Sequence, residues 1–161
     1  MRIPFTYHEK YNEYDLGEDH PLIGDKPRRT FEFFREKGIV DEYLDVMAPV
    51  EIDEKHLLLV HTQQHVDKVK FLSRIGGRLS IDTPAPRGIY HIARLAVGGT
   101  VLAGEKLFED YNIAINPLGG FHHACRDSSS GFCFFNDIAV VIEILRKKYG
   151  LKSIAVIDLD A

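Results

Sequence analysis

The sequence lacks any stretch of apolar residues long enough to span a membrane. None of its runs approaches the roughly 18 consecutive apolar residues that a span needs. Its start, Met-Arg-Ile-Pro, also lacks the apolar stretch of a signal peptide. We therefore expect a cytoplasmic protein that has no membrane partner.

The sequence also lacks an excess of positive charge. It contains 20 Lys and Arg against 24 Asp and Glu, which gives a net charge of −4. Such a balance creates no general field that attracts phosphate backbones, so we expect no direct nucleic-acid partner. Internal repeats and low-complexity tracts are missing as well, and an apolar content of 45% is ordinary for one globular domain.

Cysteine is scarce. The two that occur, Cys125 and Cys133, lie close together and are expected to be free thiols in a reducing compartment. A Cys nucleophile beside a histidine is one possible chemistry. Because Cys133 lies between two phenylalanines, where a small buried side chain is expected, thiol catalysis is the less favoured alternative.

Strand and helix patterns alternate along the chain, which predicts an α/β layered fold with its chemistry at the carboxyl ends of the strands. The apolar run 153–159 is typical of a strand buried on both faces of a parallel sheet. The other predicted strands are 1–7, 46–52 and 112–118, and the predicted helices are 28–37, a helix capped by Thr62, 87–107, and a helix capped by Asn136 or Asp137.

Polar groups follow two of these strands. Gly119-Gly-Phe-His-His123 follows the third predicted strand, and Asp158-Leu-Asp160 ends the fourth. Adjacent imidazoles can act as general base and electrostatic catalyst. Of the two carboxylates, one suits a metal and the other a supporting role behind it. Each motif alone is more often a surface feature.

A second histidine pair, His61 and His65, is spaced one helical turn apart and could chelate zinc. The glutamate base of a metalloprotease helix is missing between them. An exposed helix face is therefore the favoured interpretation of this pair.

Taken together, three motifs resemble the histone deacetylase family, which includes acetoin-utilisation proteins and acetylpolyamine amidohydrolases. They are Gly119-Gly-Phe-His-His-Ala124, Ser130-Gly-Phe-Cys-Phe-Phe-Asn-Asp137 and Ile157-Asp-Leu-Asp-Ala161. Upstream, Asp19-His-Pro21, Lys26-Pro-Arg-Arg29 and Ile81-Asp-Thr-Pro84 also resemble the family pattern. The resemblance implies an arginase/deacetylase-like parallel sheet flanked by helices.

The resemblance also implies a zinc-dependent hydrolysis of an acetyl amide by a metal-activated water. His123 matches the general base and His122 the more electrostatic member of the pair. Asp158 matches the carboxylate that holds His122 and contributes to a potassium site. Asp160 matches the first zinc ligand.

Four further residues match substrate-binding positions of the family. Gly131 and Phe132 match one wall of a narrow tunnel for an acylated, lysine-like chain. Asp82 matches a rim carboxylate that accepts hydrogen bonds from a peptide, and Arg29 an arginine of the cavity beneath the metal. Taken singly, Phe132 could be core, Asp82 a turn or cap residue, and Arg29 a solvated helix charge.

The family pattern continues beyond Ala161 with a His-His-Gly-Asp-Gly segment that includes another zinc ligand. We therefore expect residues 1–161 to be the N-terminal portion of a single deacetylase domain, truncated after its fourth expected strand. Alone, this portion should be metal-free and inactive, and its last strand should have open edges that favour self-association. Acetylated lysine and a small acetylated amine both remain possible substrates. The alternative is a non-catalytic module that binds acyl ligands.

Overall fold

A short parallel pair of strands opens the fold in this computed structural model, which describes residues 2–160. Strand β1 (Ile3–Thr6) pairs with β2 (Leu44–Met47), and Phe5 faces Val46 in the register. On the other side of β1, Ile115 forms a single parallel bridge to Phe5. The predicted α/β fold with a short parallel sheet and helices is confirmed.

Helices supply most of the remaining regular structure. A 3₁₀ turn (Glu9–Glu13) and an antiparallel pair of strands, β3 and β4, complete it. In chain order the other elements are α1 (Lys26–Glu36), α2 (Ile39–Tyr43), α3 (Glu54–Leu57), α4 (Gln63–Ile75), β3 (Gly77–Ser80), β4 (Thr83–Ala85), α5 (Ile89–Lys106) and α6 (Asp137–Tyr149).

The helix caps follow the predicted chemistry. Thr62 accepts a hydrogen bond from the backbone N–H of His65 at 3.2 Å and begins α4. Asn136, rather than Asp137, caps α6 by accepting from the N–H of Ala139 at 2.9 Å. Asp137 is thereby the first residue of α6, where its carboxylate is buried.

Helix α5 lies at the centre and contacts β1, α4 and α6. Its Gly98 and Gly99 lie against neighbouring chain, since a Cβ at Gly98 would collide with the carbonyl of Val50 and one at Gly99 with the hydroxyl of Tyr11. Close packing therefore explains this glycine pair. Within residues 2–160, no helix is both long and apolar enough to cross a bilayer.

Two predicted strands are corrected. In 112–118, bridging is confined to Ile115, and Pro117 has no N–H to extend a ladder. The segment 153–159 is irregular, with Ile157 85% exposed and Leu159 92% exposed. The described residues provide no strand beside it, and an isolated strand has no partner for its backbone groups.

Candidate metal centre and substrate cavity

The histidine pair and the two aspartates of the last segment lie together. His122 Nδ1 is 3.0 Å from Asp158 Oδ2, and Nε2 of the same ring is 3.5 Å from Asp160 Oδ2. His123 Nε2 lies 3.6 Å from that Asp160 oxygen, and the two ring centroids are 4.0 Å apart. Ligand atoms of His122, His123 and Asp160 all lie within 4.8 Å of one another.

A cavity of about 490 Å³ opens beside this cluster. Gly131 and Phe132 line it together with both histidines and both aspartates. Other lining residues are Leu22, Lys26, Leu118, Gly119, Gly120, Phe121, Cys133, Ile138, Val156 and Ile157. The cavity thus combines an apolar wall with a compact group of nitrogen and oxygen donors.

The wall at Phe132 is held from both sides in an unusual backbone conformation. Phe132 has a φ of 69°, a left-handed value that a bulky residue adopts only where its surroundings enforce it. Its N–H donates to Thr83 Oγ1 at 3.1 Å, and its carbonyl accepts from the Tyr14 hydroxyl at 2.7 Å. Phe132 lies at the cavity surface and is only partly buried.

Asp82 supports this wall from behind. Its Oδ2 accepts from the N–H of Gly131 at 2.9 Å, and its Oδ1 accepts from the hydroxyls of Ser80 at 2.6 Å and Thr83 at 3.0 Å. The bond from Ser80, and then those from Gly131 and Thr83, hold the pKa of Asp82 below its ordinary value. Asp82 lines a neighbouring depression with His20 and Phe132, at the edge of the wall.

Arg29 does not line the cavity. It lies on α1 with a side chain 66% exposed, and its guanidinium pairs with Asp25 at 2.9 Å. Because Asp25 precedes Arg29 by one helical turn, the pair forms locally on the helix surface. Lys26 is the residue of α1 that reaches the cavity instead.

The prediction of an exposed face for His61 and His65 is wrong. Each residue is only 2% exposed. His61 Nδ1–H donates to the carbonyl of Cys125 at 2.8 Å, and its Nε2 accepts from the N–H of Asn136 at 3.0 Å. His65 Nε2–H donates to the carbonyl of Phe134 at 3.0 Å. Both nitrogens of His61 are therefore committed to the backbone, which argues against a zinc site at this pair.

Burial, together with the neighbouring His65, lowers the pKa of His61 to about 4. The ring is accordingly neutral at physiological pH, in the tautomer with hydrogen on Nδ1, because a carbonyl can only accept. Through this bond His61 holds the loop that carries the histidine pair, because Cys125 lies two residues after His123 in that loop. Spacing alone gave no sign of this burial.

The cysteines are free thiols, as predicted. Burial raises the pKa of Cys133 to about 12, and its Sγ lies 3.1 Å from the carbonyl of Gly131. A thiol with such a pKa supplies almost no thiolate at neutral pH, which argues against nucleophilic catalysis by Cys133.

Asn136 and Asp137 are functional candidates, and the only individual role that the sequence suggested for them was helix capping. The Asn136 amide donates to the carbonyls of His122 at 3.2 Å and Ala124 at 3.1 Å while its Oδ1 caps α6. Asp137 accepts from the amides of Gly120 and Phe121. Their position directly after Phe134 and Phe135 was the one hint in the sequence that they lie near the core. The spacing of residues does not show that a carboxylate is buried.

Comparison with known proteins agrees with the motifs. The acetoin utilization protein AcuC of Bacillus subtilis is 32% identical over 169 residues, covering 98% of this chain and 43% of that protein. A probable deacetylase of Archaeoglobus fulgidus is 31% identical over 166 residues, covering 100% of this chain and 45% of that protein. The chain spans less than half the length of these relatives.

The fold leads to the same family. The crystal structure of an HDAC homolog from Aquifex aeolicus superposes with a TM-score of 0.80 and 26% sequence identity, covering 92% of this chain and 42% of that one. Residues 20–161 match the model of the histone deacetylase domain. This chain therefore belongs to the histone deacetylase family.

Proposed function

We propose that residues 1–161 form the N-terminal portion of a single zinc-dependent deacetylase domain, which hydrolyses the acetyl amide of an acylated amine. The observation that carries the proposal is the convergence of His122, His123 and Asp160 within 4.8 Å, beside the cavity walled by Gly131 and Phe132. Membership of the family supports the reaction class.

The donor set suits zinc. The carboxylate oxygen of Asp160 is a common type of zinc ligand in proteins. The Asp160 oxygen faces two ring nitrogens at 3.5 and 3.6 Å, and their lone pairs would repel unless protons or a cation lay between them. Asp160 is the residue of this chain that would hold the ion. Bound zinc would act as a Lewis acid toward the amide carbonyl.

The two histidines have different roles in the proposed reaction. As a carboxylate, Asp158 can only accept, so His122 donates to it through Nδ1, which orients the ring. His123 has its Nε2 directed toward Asp160, at the cavity. In this proposal His123 removes a proton from the attacking water and later protonates the leaving amine, while His122 stabilises developing charge.

The cavity suits an alkyl chain. Gly131 and Phe132 present an apolar wall without polar groups that a methylene stem would leave unsatisfied. Acetylated lysine or a small acetylated amine such as a polyamine fits this chemistry. By resemblance, Asp158 also contributes to a potassium site.

Catalytic zinc takes three protein ligands and a water. By resemblance, the ligands that accompany Asp160 come from the C-terminal part of the domain. We therefore propose that the 161-residue chain is metal-free and inactive by itself, and that a polypeptide which also carries that part is active.

The test uses a polypeptide that carries the whole domain, loaded with zinc, and an acetyl-lysine reporter. His123→Ala should lower kcat about 10²- to 10⁴-fold, the usual contribution of a general base. Cys125→Ser is the control, because it changes an exposed thiol near the histidine pair and should leave kcat unchanged.

Two results would contradict the proposal. One is a well-folded, zinc-loaded domain that binds acylated ligands without turnover, which would support the non-catalytic alternative. The other is loss of activity in Cys125→Ser but not in His123→Ala, which would support thiol chemistry.

A further inference from the structure

Asp137 is a buried carboxylate that contacts the backbone leading into the histidine pair. Its Oδ2 accepts from the N–H of Gly120 at 3.0 Å, and its Oδ1 accepts from the N–H of Phe121 at 2.7 Å. Phe121 immediately precedes His122 in the chain. The carboxylate therefore holds two consecutive peptide units of this loop.

Thr100 and Asn116 orient the Asp137 carboxylate. Asn116 Nδ2 donates to Thr100 Oγ1 at 2.8 Å, so the hydroxyl proton of Thr100 is free to point to Asp137 Oδ2, 2.5 Å away. Asn116 also donates to the carbonyl of Leu118 at 3.0 Å and accepts from its N–H at 3.3 Å. One partly buried network thus joins α5, the start of the histidine loop and the first residue of α6.

The loop rests directly on this network. A Cβ added to Gly119 would lie 2.9 Å from both Asp137 Oδ2 and Thr100 Oγ1, closer than real Cβ contacts. Gly120 has a φ of 84°, which a residue with a side chain rarely adopts. The two glycines let the backbone approach the carboxylate and turn toward His122.

A carboxylate suits this position better than a neutral side chain. Burial raises the pKa of Asp137, while the bonds from Thr100, Phe121 and Gly120 oppose that rise, and the N-terminus of α6 also favours negative charge. An amide side chain has one acceptor oxygen, and its NH₂ would face one of the two backbone N–H groups. Asn at this position would leave a buried donor unpaired.

We propose that Asp137 is a positioning residue, which fixes His122 and His123 by holding the amides of Gly120 and Phe121 with the help of Thr100. The proposal deepens the proposed function and rests on it for the catalytic consequence. The positional effect itself can be measured without any activity.

The experiment measures amide exchange and imidazole ¹⁵N signals by NMR in the 161-residue chain. Asp137→Asn should speed exchange at Gly120, Phe121 and His122 by about tenfold or more, because the loop opens locally. It should also shift the imidazole signals of both histidines. Thr100→Val should act in the same direction with a smaller effect, while Thr100→Ser, which keeps the hydroxyl, should resemble the wild type.

Val140→Ala is the matched control, since Val140 is fully buried on the same helix one turn away. It should lower Tm without changing the histidine signals. The proposal is overturned if Asp137→Asn leaves exchange and imidazole signals unchanged, or if Val140→Ala alters them equally at a similar loss of Tm. If Asp137→Asn does not fold, the contrast between Thr100→Val and Thr100→Ser decides in the same way.

A second measurement concerns catalysis in the polypeptide that carries the whole domain. Asp137→Asn should reduce kcat for the acetyl-lysine reporter while KM stays within about twofold, because the wall formed by Gly131 and Phe132 has no contact with Asp137 in the network described above. A change in KM alone would contradict positioning of the histidines. A wild-type domain without activity would refute the proposed function, whereas the exchange measurement would still decide the role of Asp137.

Discussion

At the scale of single residues, the cavity wall depends on Gly131. This glycine has a φ of 53°, and a Cβ on it would collide with the ring of His123. Any side chain there meets two penalties, left-handed backbone strain and overlap with a histidine of the site.

Gly131→Ala should therefore lower the free energy of unfolding more than a glycine replacement that adds backbone strain but no steric overlap. Gly38 offers that comparison, because its φ is 73° and a Cβ there would meet nothing within 4 Å. We expect Gly38→Ala to cost about 1–2 kcal/mol and Gly131→Ala a further 1–3 kcal/mol, roughly the cost of overpacking. Urea unfolding measures both free energies. Equal losses would show that His123 does not lie against Gly131.

The single residues also show how much of the site could be predicted from the sequence. The sequence singled out His122, His123, Asp158 and Asp160, and the structure places them together, although their catalytic roles stay predictions. The spacing of His61 and His65 predicted a helix face but not which face was buried. Burial depends on the residues packed from elsewhere in the chain, which a local pattern does not contain.

At the scale of secondary-structure elements, His61 ties the segment before α4 to the N-terminus of α6. Its ring bonds the carbonyl of Cys125 and the N–H of Asn136, and the second bond requires an unprotonated Nε2. Protonation of His61 therefore breaks the link between these elements.

The pKa of His61 predicts how stability changes with pH. The folded value of about 4 is below the ordinary 6.5, so the unfolded chain binds the proton more readily. The stabilisation is complete above about pH 6.5 and is lost as pH falls through about 4, with a maximum near 3 kcal/mol. Urea unfolding between pH 7.5 and 4 should show this loss in the wild type and a shallower one in His61→Asn.

The control for this measurement is His91→Asn, since His91 is an exposed histidine that pairs with Glu51 on the surface. It should retain most of the wild-type slope. His65, whose pKa burial also lowers, contributes in every variant, so the difference between variants isolates His61. Identical slopes in the wild type and His61→Asn would disprove the assignment.

Elements differ in how well local sequence predicts them. The caps at Thr62 and Asn136 are bonds between residues three apart, so the sequence contains both partners. A strand needs a neighbour that is distant in sequence. Segment 112–118 finds one only at Ile115, and 153–159 finds none among the described residues.

At the scale of the whole molecule, the final segment leaves apolar side chains in solvent. Ile157 is 85% exposed and Leu159 is 92% exposed, while Val156 and Ile154 line a groove of about 520 Å³ against α5 and α6. Burying such side chains is favourable by about 1.5–3 kcal/mol each. A second copy of the chain can cover them by pairing with the backbone of this segment, which forms no strand ladder within residues 2–160.

We therefore expect the 161-residue chain to self-associate, with an associated fraction that rises with protein concentration. Analytical ultracentrifugation measures this fraction. Ile157→Lys with Leu159→Lys should weaken the association, because charges on an edge oppose pairing of strands. Ile81→Lys is the control, since Ile81 is 89% exposed but lies in the turn between β3 and β4. Association that Ile81→Lys weakens and the double variant does not would place the contact elsewhere. If the chain stays monomeric at about 100 μM, where association with a micromolar Kd would be evident, the prediction of self-association is refuted.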